Sequence, residues 1–111
     1  MRTMKINVLG TAYTITEASE VEDTVLSTCD GYCDKTTKRI VVCRKSPKCD
    51  LGDFETYQKK VIRHEIVHAF LFESGLHESW KHDEGHDESF VDWFAVQFPK
   101  LLAAIKEADA L

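Results

Sequence analysis

The first sixteen residues alternate between apolar and polar side chains in two short runs. Ile6 and Val8 belong to the first run, Tyr13 and Ile15 belong to the second, and Gly10 lies between them. A period of two places every second side chain on one face of a β-strand, and a glycine between two such runs is typical of a turn. The pattern therefore predicts a β-hairpin near the N-terminus.

A second hairpin is predicted farther along the chain. Gly31, Tyr32 and Cys33 lead into a polar turn, and a β-branched run at 40–42 leads out of it. β-Branched side chains favour strands because they pack well on a pleated surface. The polar stretch 17–28 between the hairpins fits either a short helix or an irregular connection.

The middle of the chain has the period of a helix. A helix is predicted over 53–74, because Asp53 is suited to cap its N-terminus and Gly75 is suited to end it. Its apolar positions recur every three or four residues, at Phe54, Tyr57, Val61, Ile62, Ile66, Ala69 and Phe70.

The rest of the chain is expected to contain a loop and more helix. A polar loop rich in histidines and acids occupies 75–86, and a second helix starts near Asp87. Pro99 should end or kink this helix, because proline has no N–H for the helical ladder. A last amphipathic stretch, 101–111, is then expected to pack on the core as a lid. Strands followed by helices predict an α+β fold with a small antiparallel sheet made of the two hairpins.

Composition narrows the class of protein. The chain has 111 residues, of which 43% are hydrophobic and 30% charged, which suits one globular domain over 1–111. A formal net charge of -5 disfavours a nucleic-acid partner, which would require a basic face. We find no apolar run close to the roughly 20 residues of a membrane span, and no signal-peptide pattern at the start. We therefore expect a cytoplasmic protein with neither a nucleic-acid nor a membrane partner.

The residues that carry chemistry are His64-Glu65-Ile66-Val67-His68. Two histidines four residues apart lie on one face of a helix, so both imidazoles can reach one tetrahedral metal ion. Glu65 is displaced round the helix, where it is suited to contact water at the metal rather than the metal itself. Apolar pairs lie at 61–62 and 69–70 on either side of the motif, and its inner pair at 66–67 is uncharged. This pattern predicts that the helix is buried around the motif, where a bare charge would be costly without a metal.

A zinc site of this type needs a third protein ligand and leaves one position for water. The metzincin pattern is excluded, because Leu71 and Ser74 occupy the positions of its glycine and its third histidine. Glu88, on the predicted second helix, is a candidate. The alternatives for this role are His82, His86 and Glu84.

Asp92 follows Glu88 by one helical turn, so both carboxylates face the same side. A carboxylate at that position can accept the free N–H of His64 and fix the tautomer of the ring. The spacing therefore predicts a ligand and its supporting acid on a single helix.

These features resemble the gluzincin zinc metallopeptidases, in which a glutamate on a second helix completes the site. More of the chain, about residues 30–100, is similar to a smaller branch, the ImmA/IrrE-type metallopeptidases of phages and mobile elements. This similarity lies in Gly31-Tyr32 with the following turn and strand at 39–42, and in Asp92-Trp93-Phe94-Ala95 with Pro99.

The resemblance implies a minimal zincin-like domain with an active-site helix and a second, ligand-bearing helix. It implies one Zn²⁺ held by His64, His68 and Glu88, with Asp92 supporting the first histidine. Glu65 would be the general base in a zinc-activated hydrolysis of peptide bonds in a protein or peptide substrate. We expect that substrate to bind in extended form along the sheet edge.

The sequence leaves several candidates for the donor that would stabilise the oxyanion. Larger gluzincins supply a histidine or a tyrosine, but no position here matches by motif. The candidates are His82, His86, His77 and Tyr32.

Two other functions fit the same residues. One is a zinc-bound, non-catalytic module that binds a partner protein, although such a module commonly loses the base, and Glu65 is present. The other is a phage structural protein with a fortuitous motif.

The cysteines form a separate window. No two of them have the two-residue gap of a zinc knuckle, which disfavours a structural zinc site. A disulfide framework would need an oxidising compartment. The four cysteines are Cys29, Cys33, Cys43 and Cys49. We therefore rank free thiols as the favoured state, a second zinc site as the next and disulfides as the least favoured.

Overall fold

The computed structural model of the protein describes residues 3–79 and 87–111. The elements in this part of the chain are β1 (Met4–Val8), β2 (Thr11–Ala18), β3 (Gly31–Asp34), β4 (Arg39–Cys43), α1 (Phe54–Glu73) and α2 (Glu88–Glu107). Single 3₁₀ turns lie at Thr24–Ser27, within the stretch that the sequence left open, and at Leu76–Ser79. The α+β class is confirmed. None of the helices described is long and apolar enough to cross a membrane.

The four strands form one sheet in the order β1-β2-β4-β3. The two predicted hairpins are present, since β1 pairs with β2 and β3 pairs with β4 in antiparallel fashion. The prediction of an entirely antiparallel sheet is wrong, because β2 and β4 run parallel, with Ile15 opposite Ile40. β4 takes a central place because its apolar side chains need burial on both faces: Ile40, Val41 and Val42 are all fully buried. The more polar β3 is left at the edge.

The core lies between the sheet and α1. Its fully or almost fully buried members are Val8, Tyr13, Ile15, Ile40, Val42, Val61 and Ala69. β3 comes close to α1 at Gly31, where an added Cβ would lie 2.9 Å from Val61 Cγ1. A glycine at this position therefore lets the edge strand lie directly beside the helix that carries the metal motif.

Helix α1 begins and ends close to the predicted positions. The Asp53 side chain caps it by accepting a hydrogen bond from the Thr56 N–H at 3.0 Å. After the helix, Gly75 has a φ of +81°, in the left-handed region that favours glycine at a helix end. Local signals were therefore sufficient to define this helix.

Helix α2 runs unbroken through Pro99, so the alternative in which the helix ends there is wrong, and 101–111 is not a separate lid. Proline cannot donate the N–H that would normally bond to the carbonyl of Ala95, four residues earlier. Here Arg63 Nε–H of α1 donates to that carbonyl at 2.7 Å. A side chain from the neighbouring helix thus replaces the missing backbone hydrogen bond.

Candidate metal centre

The three predicted ligands meet where the first turn of α2 faces the middle of α1. His64 Nε2 and His68 Nε2 lie 3.1 Å apart. The Glu88 carboxylate lies 2.6 Å from His68 Nε2 and 3.2 Å from His64 Nε2. Among the residues that the structure describes, this is the group of three whose ligand atoms all lie within 4.8 Å of one another.

The spacing of these atoms fits a zinc ion. Zinc–ligand bonds of about 2.0–2.1 Å in a tetrahedral site place neighbouring ligand atoms about 3.3 Å apart. Two ring nitrogens as close as those of His64 and His68 also require either a shared proton or a common cation. Two imidazoles and a carboxylate are a donor set that zinc accepts, and they leave a fourth position open. The residues present could therefore hold the ion that the sequence predicts.

The site is protected on the α1 side and open on the α2 side. The side chains of His64 and His68 are 16% and 11% exposed, whereas that of Glu88 is 69% exposed. Two candidate ligands therefore belong to the packed body of the protein, and the third lies at its surface.

Asp92 lies where a supporting acid for His64 is expected. Its Oδ1 is 3.3 Å from His64 Nδ1 and 3.3 Å from Lys60 Nζ. Partial burial acts to raise the pKa of Asp92, but hydrogen bonding and charge from Lys60 and His64 lower it overall. Asp92 thus remains a carboxylate that can accept Nδ1–H, which leaves Nε2 of His64 as the nitrogen that could bind a metal ion.

Glu65 is a buried carboxyl group beside the three ligands, with 6% of its surface exposed. Burial, and next the charge of Glu88, raises the pKa of Glu65 to about 7, and Lys60 opposes this shift. A carboxyl group that exchanges a proton near neutral pH is suited to act as a general base and then as a general acid.

The centre opens into a cleft of about 450 Å³ between α1 and β3. Asp30 O accepts the Cys43 N–H at 2.8 Å, which fixes the hydrogen-bonded pairs of the β3–β4 ladder. Because backbone groups alternate in direction along a strand, the carbonyl of Gly31 and both backbone groups of Cys33 point to the open edge of the sheet. An extended chain in the cleft would meet these groups.

Two of the candidate oxyanion donors, Tyr32 and His77, lie in the part that the structure describes, and Tyr32 lines the same cleft as the candidate ligands. The Tyr32 hydroxyl donates to the carboxylate of Asp23 and accepts from Arg39. The ring of His77 packs edge-on against Phe72, with centroids 4.7 Å apart, and Phe72 in turn packs against His68. Outside the described residues lie His82, His86 and Glu84.

The cysteines are free, half-buried thiols. Burial, assisted by the charge of Glu65, raises the pKa of Cys33 to about 12, so this thiol is protonated and unreactive at neutral pH. Cys29 and Cys33 nevertheless line the same cleft as the ligands. No cysteine belongs to the metal-binding group found among the described residues.

Lys60 is the site residue that the sequence did not single out. It lies one helical turn before His64 on the same face of α1, and it contacts Asp92. The spacing of four residues from the first histidine was the available signal. It gave no indication of a partner on α2.

Comparison with known proteins assigns no family. A scan against family models, a search of curated proteins and a search of solved structures each found no match to this chain. Function is therefore inferred from the geometry of the site.

Proposed function

We propose that this protein is a gluzincin-type zinc metallopeptidase that hydrolyses a peptide bond in a protein or peptide substrate. The observation that supports this most directly is the convergence of His64, His68 and Glu88 from two helices. The buried carboxyl group of Glu65 lies in the same cleft. A fortuitous motif on a surface helix would have required neither a third donor nor a buried acid.

Each residue has a separable task in this reaction. His64, His68 and Glu88 would hold a zinc ion, which supplies Lewis acidity that acidifies water and polarises a carbonyl group. Glu65 accepts the proton of the attacking water and passes it to the leaving amine, for which its raised pKa is suited. Asp92 holds His64 in the tautomer that presents Nε2.

The proposed substrate is an extended peptide segment. Its backbone pairs with the outward groups of Gly31 and Cys33 on β3, which lies beside the ligands. Pairing of this kind gives affinity through the main chain with little demand on sequence.

The decisive experiment compares Glu65→Gln with the wild type. We expect both proteins to hold one equivalent of zinc, measured by elemental analysis after dialysis. Cleavage of a peptide library, detected by mass spectrometry, should fall at least about 10²-fold in Glu65→Gln, the typical contribution of a general base. Glu55→Gln, an exposed change on the same helix, should behave like wild type.

The other outcomes identify the alternative functions. Stoichiometric zinc with no cleavage by the wild type, across host and phage proteins, would favour a zinc-bound binding module. Less than half an equivalent of zinc, not restored by added zinc, would exclude both metal-dependent functions and favour a structural protein. Equal cleavage by Glu65→Gln would contradict the proposed base.

A further inference from the structure

A lysine one turn before the metal motif contacts the candidate centre. Lys60, His64 and His68 are four residues apart on α1, so their side chains follow one stripe of the helix surface. Lys60 Nζ lies 3.3 Å from Asp92 Oδ1, and the same oxygen lies 3.3 Å from His64 Nδ1. One carboxylate oxygen is thus shared by an ammonium group and the ring of a candidate ligand.

The ammonium group of Lys60 has a second contact that limits its movement. Its Nζ lies 5.3 Å from the centroid of the Tyr57 ring, within the range of a cation–π interaction. The Tyr57 hydroxyl in turn donates to the carboxylate of Asp30. The Lys60 side chain is 28% exposed, whereas that of Asp92 is 50% exposed. The lysine is therefore the better fixed member of the pair.

We propose that Lys60 is a positioning residue of the metal centre. It holds the Asp92 carboxylate in the orientation that accepts Nδ1–H of His64, so that Nε2 presents its lone pair to the ion. This inference rests on the proposed function, because the orientation matters only if His64 is a ligand. A half-exposed carboxylate without this anchor would turn to water part of the time, and His64 would then also adopt the tautomer with its proton on Nε2.

The sign of the effect on metal affinity separates this role from two others. A surface ion pair with no further role would leave zinc affinity unchanged when Lys60 is removed. A lysine that merely repels the ion would raise the affinity when removed, because like charges repel. A positioning lysine lowers the affinity when removed.

The first test measures zinc affinity by competition with a chromophoric chelator, using the full chain. Lys60→Met should bind Zn²⁺ about 3- to 10-fold more weakly, less than the roughly 10- to 100-fold losses typical of groups that contact a metal ligand directly, because Lys60 acts through Asp92. Lys60→Arg should restore most of the affinity, and Lys59→Met, at an exposed neighbouring position, should match wild type. Unchanged or tighter binding by Lys60→Met would overturn the proposal.

The second test asks whether Lys60 acts through Asp92. In an Asp92→Asn background, Lys60→Met should cause no further loss of affinity. Additive losses would show that the lysine acts independently, and the proposal would then be wrong.

A measurement on the metal-free protein separates failure of this inference from failure of the proposed function. Glu88 lies 3.2 Å from His64 Nε2 and would favour the other tautomer, so the comparison is made in a Glu88→Ala background. Nitrogen-15 NMR of the His64 ring at alkaline pH should show a larger share of the Nδ1–H tautomer in Glu88→Ala than in Glu88→Ala/Lys60→Met. If wild type binds no zinc, the proposed function fails, but the tautomer comparison still decides what Lys60 does. Identical tautomer populations would count against the positioning role.

Discussion

Glu88 is the most exposed of the three candidate ligands, yet its backbone is held at the first position of α2. Asp87 caps α2 by accepting the Ser89 N–H at 2.9 Å, so the helix begins at the residue that would bind the metal. A local hydrogen bond thus marks the start of α2. A carboxylate held at a helix N-terminus is also favoured by the helix dipole.

Removal of this carboxylate tests the ligand assignment at the level of one side chain. We expect Glu88→Ala to weaken zinc affinity at least about tenfold while the protein stays folded, because the third donor is lost. Chelator competition measures the zinc affinity, and far-ultraviolet circular dichroism checks that the fold is retained. Glu107→Ala, at the other end of α2, serves as the control. A much smaller loss would move the third ligand to His82 or His86.

The site could be predicted from sequence to the extent that its residues are close in the chain. His64 and His68 share a helix face by spacing alone, and the pair Glu88 and Asp92 repeats this logic on α2. The role of Lys60 could not be predicted in this way, because it depends on how α1 and α2 pack together.

At the scale of elements, the cleft depends on how closely β3 approaches α1. Gly31→Ala would place a Cβ 2.9 Å from Val61 Cγ1 and 3.1 Å from the carbonyl of Val41. Neither neighbour yields easily, since a valine in a helix has one strongly preferred rotamer and the carbonyl belongs to the central strand β4. We expect a loss of about 1–3 kcal/mol in the free energy of unfolding, measured by urea titration.

The matched control is Gly52→Ala, since an added Cβ there meets nothing within 4 Å. It reports the small gain that comes from a less flexible unfolded chain. Equal stabilities of the two variants would mean that β3 does not need glycine to lie against the helix.

The continuity of α2 depends on a contact between helices. Arg63→Met should lower the free energy of unfolding by about 1–3 kcal/mol, because the carbonyl of Ala95 loses its donor. In a Pro99→Ala background the backbone N–H at 99 can bond to that carbonyl, so Arg63→Met should lower the free energy of unfolding by less than it does in wild type. A double-mutant cycle by urea unfolding measures the difference. Equal costs in both backgrounds would contradict this account of the unbroken helix.

The same contact explains why the end of α2 was predicted wrongly. Proline signals a helix end through the hydrogen bond that it cannot make, and this local rule is sound. It failed here because Arg63, far away in the chain, supplies the missing donor. The parallel pairing of β2 with β4 escaped prediction for a similar reason, since the competition for central burial is settled by all strands together.

At the scale of the whole molecule, the end of α1 is tied to the sheet by one carboxylate. Glu73 accepts hydrogen bonds from the Tyr13 hydroxyl at 2.7 Å and from Lys38 Nζ at 2.6 Å. A negative charge at a helix C-terminus is disfavoured by the dipole, so these two donors compensate for its position. Together they join the helix to β2 and to the turn between β3 and β4.

This arrangement predicts a pH-dependent part of the stability. The hydrogen bonds, above all that from Lys38, lower the pKa of Glu73 below its ordinary value of 4.5. A group whose pKa is lower in the folded state contributes fully above its unfolded pKa and loses that contribution as the pH falls through the folded value. Glu73→Gln should therefore be less stable than wild type at neutral pH, and the two unfolding curves should converge as the pH falls below 4.5. Glu55→Gln, an exposed change on the same helix, is the control and should differ little from wild type in stability at neutral pH. A constant difference in unfolding free energy between Glu73→Gln and wild type across this range would mean that the contacts of Glu73 with Tyr13 and Lys38 stabilise the protein without the charge of the carboxylate.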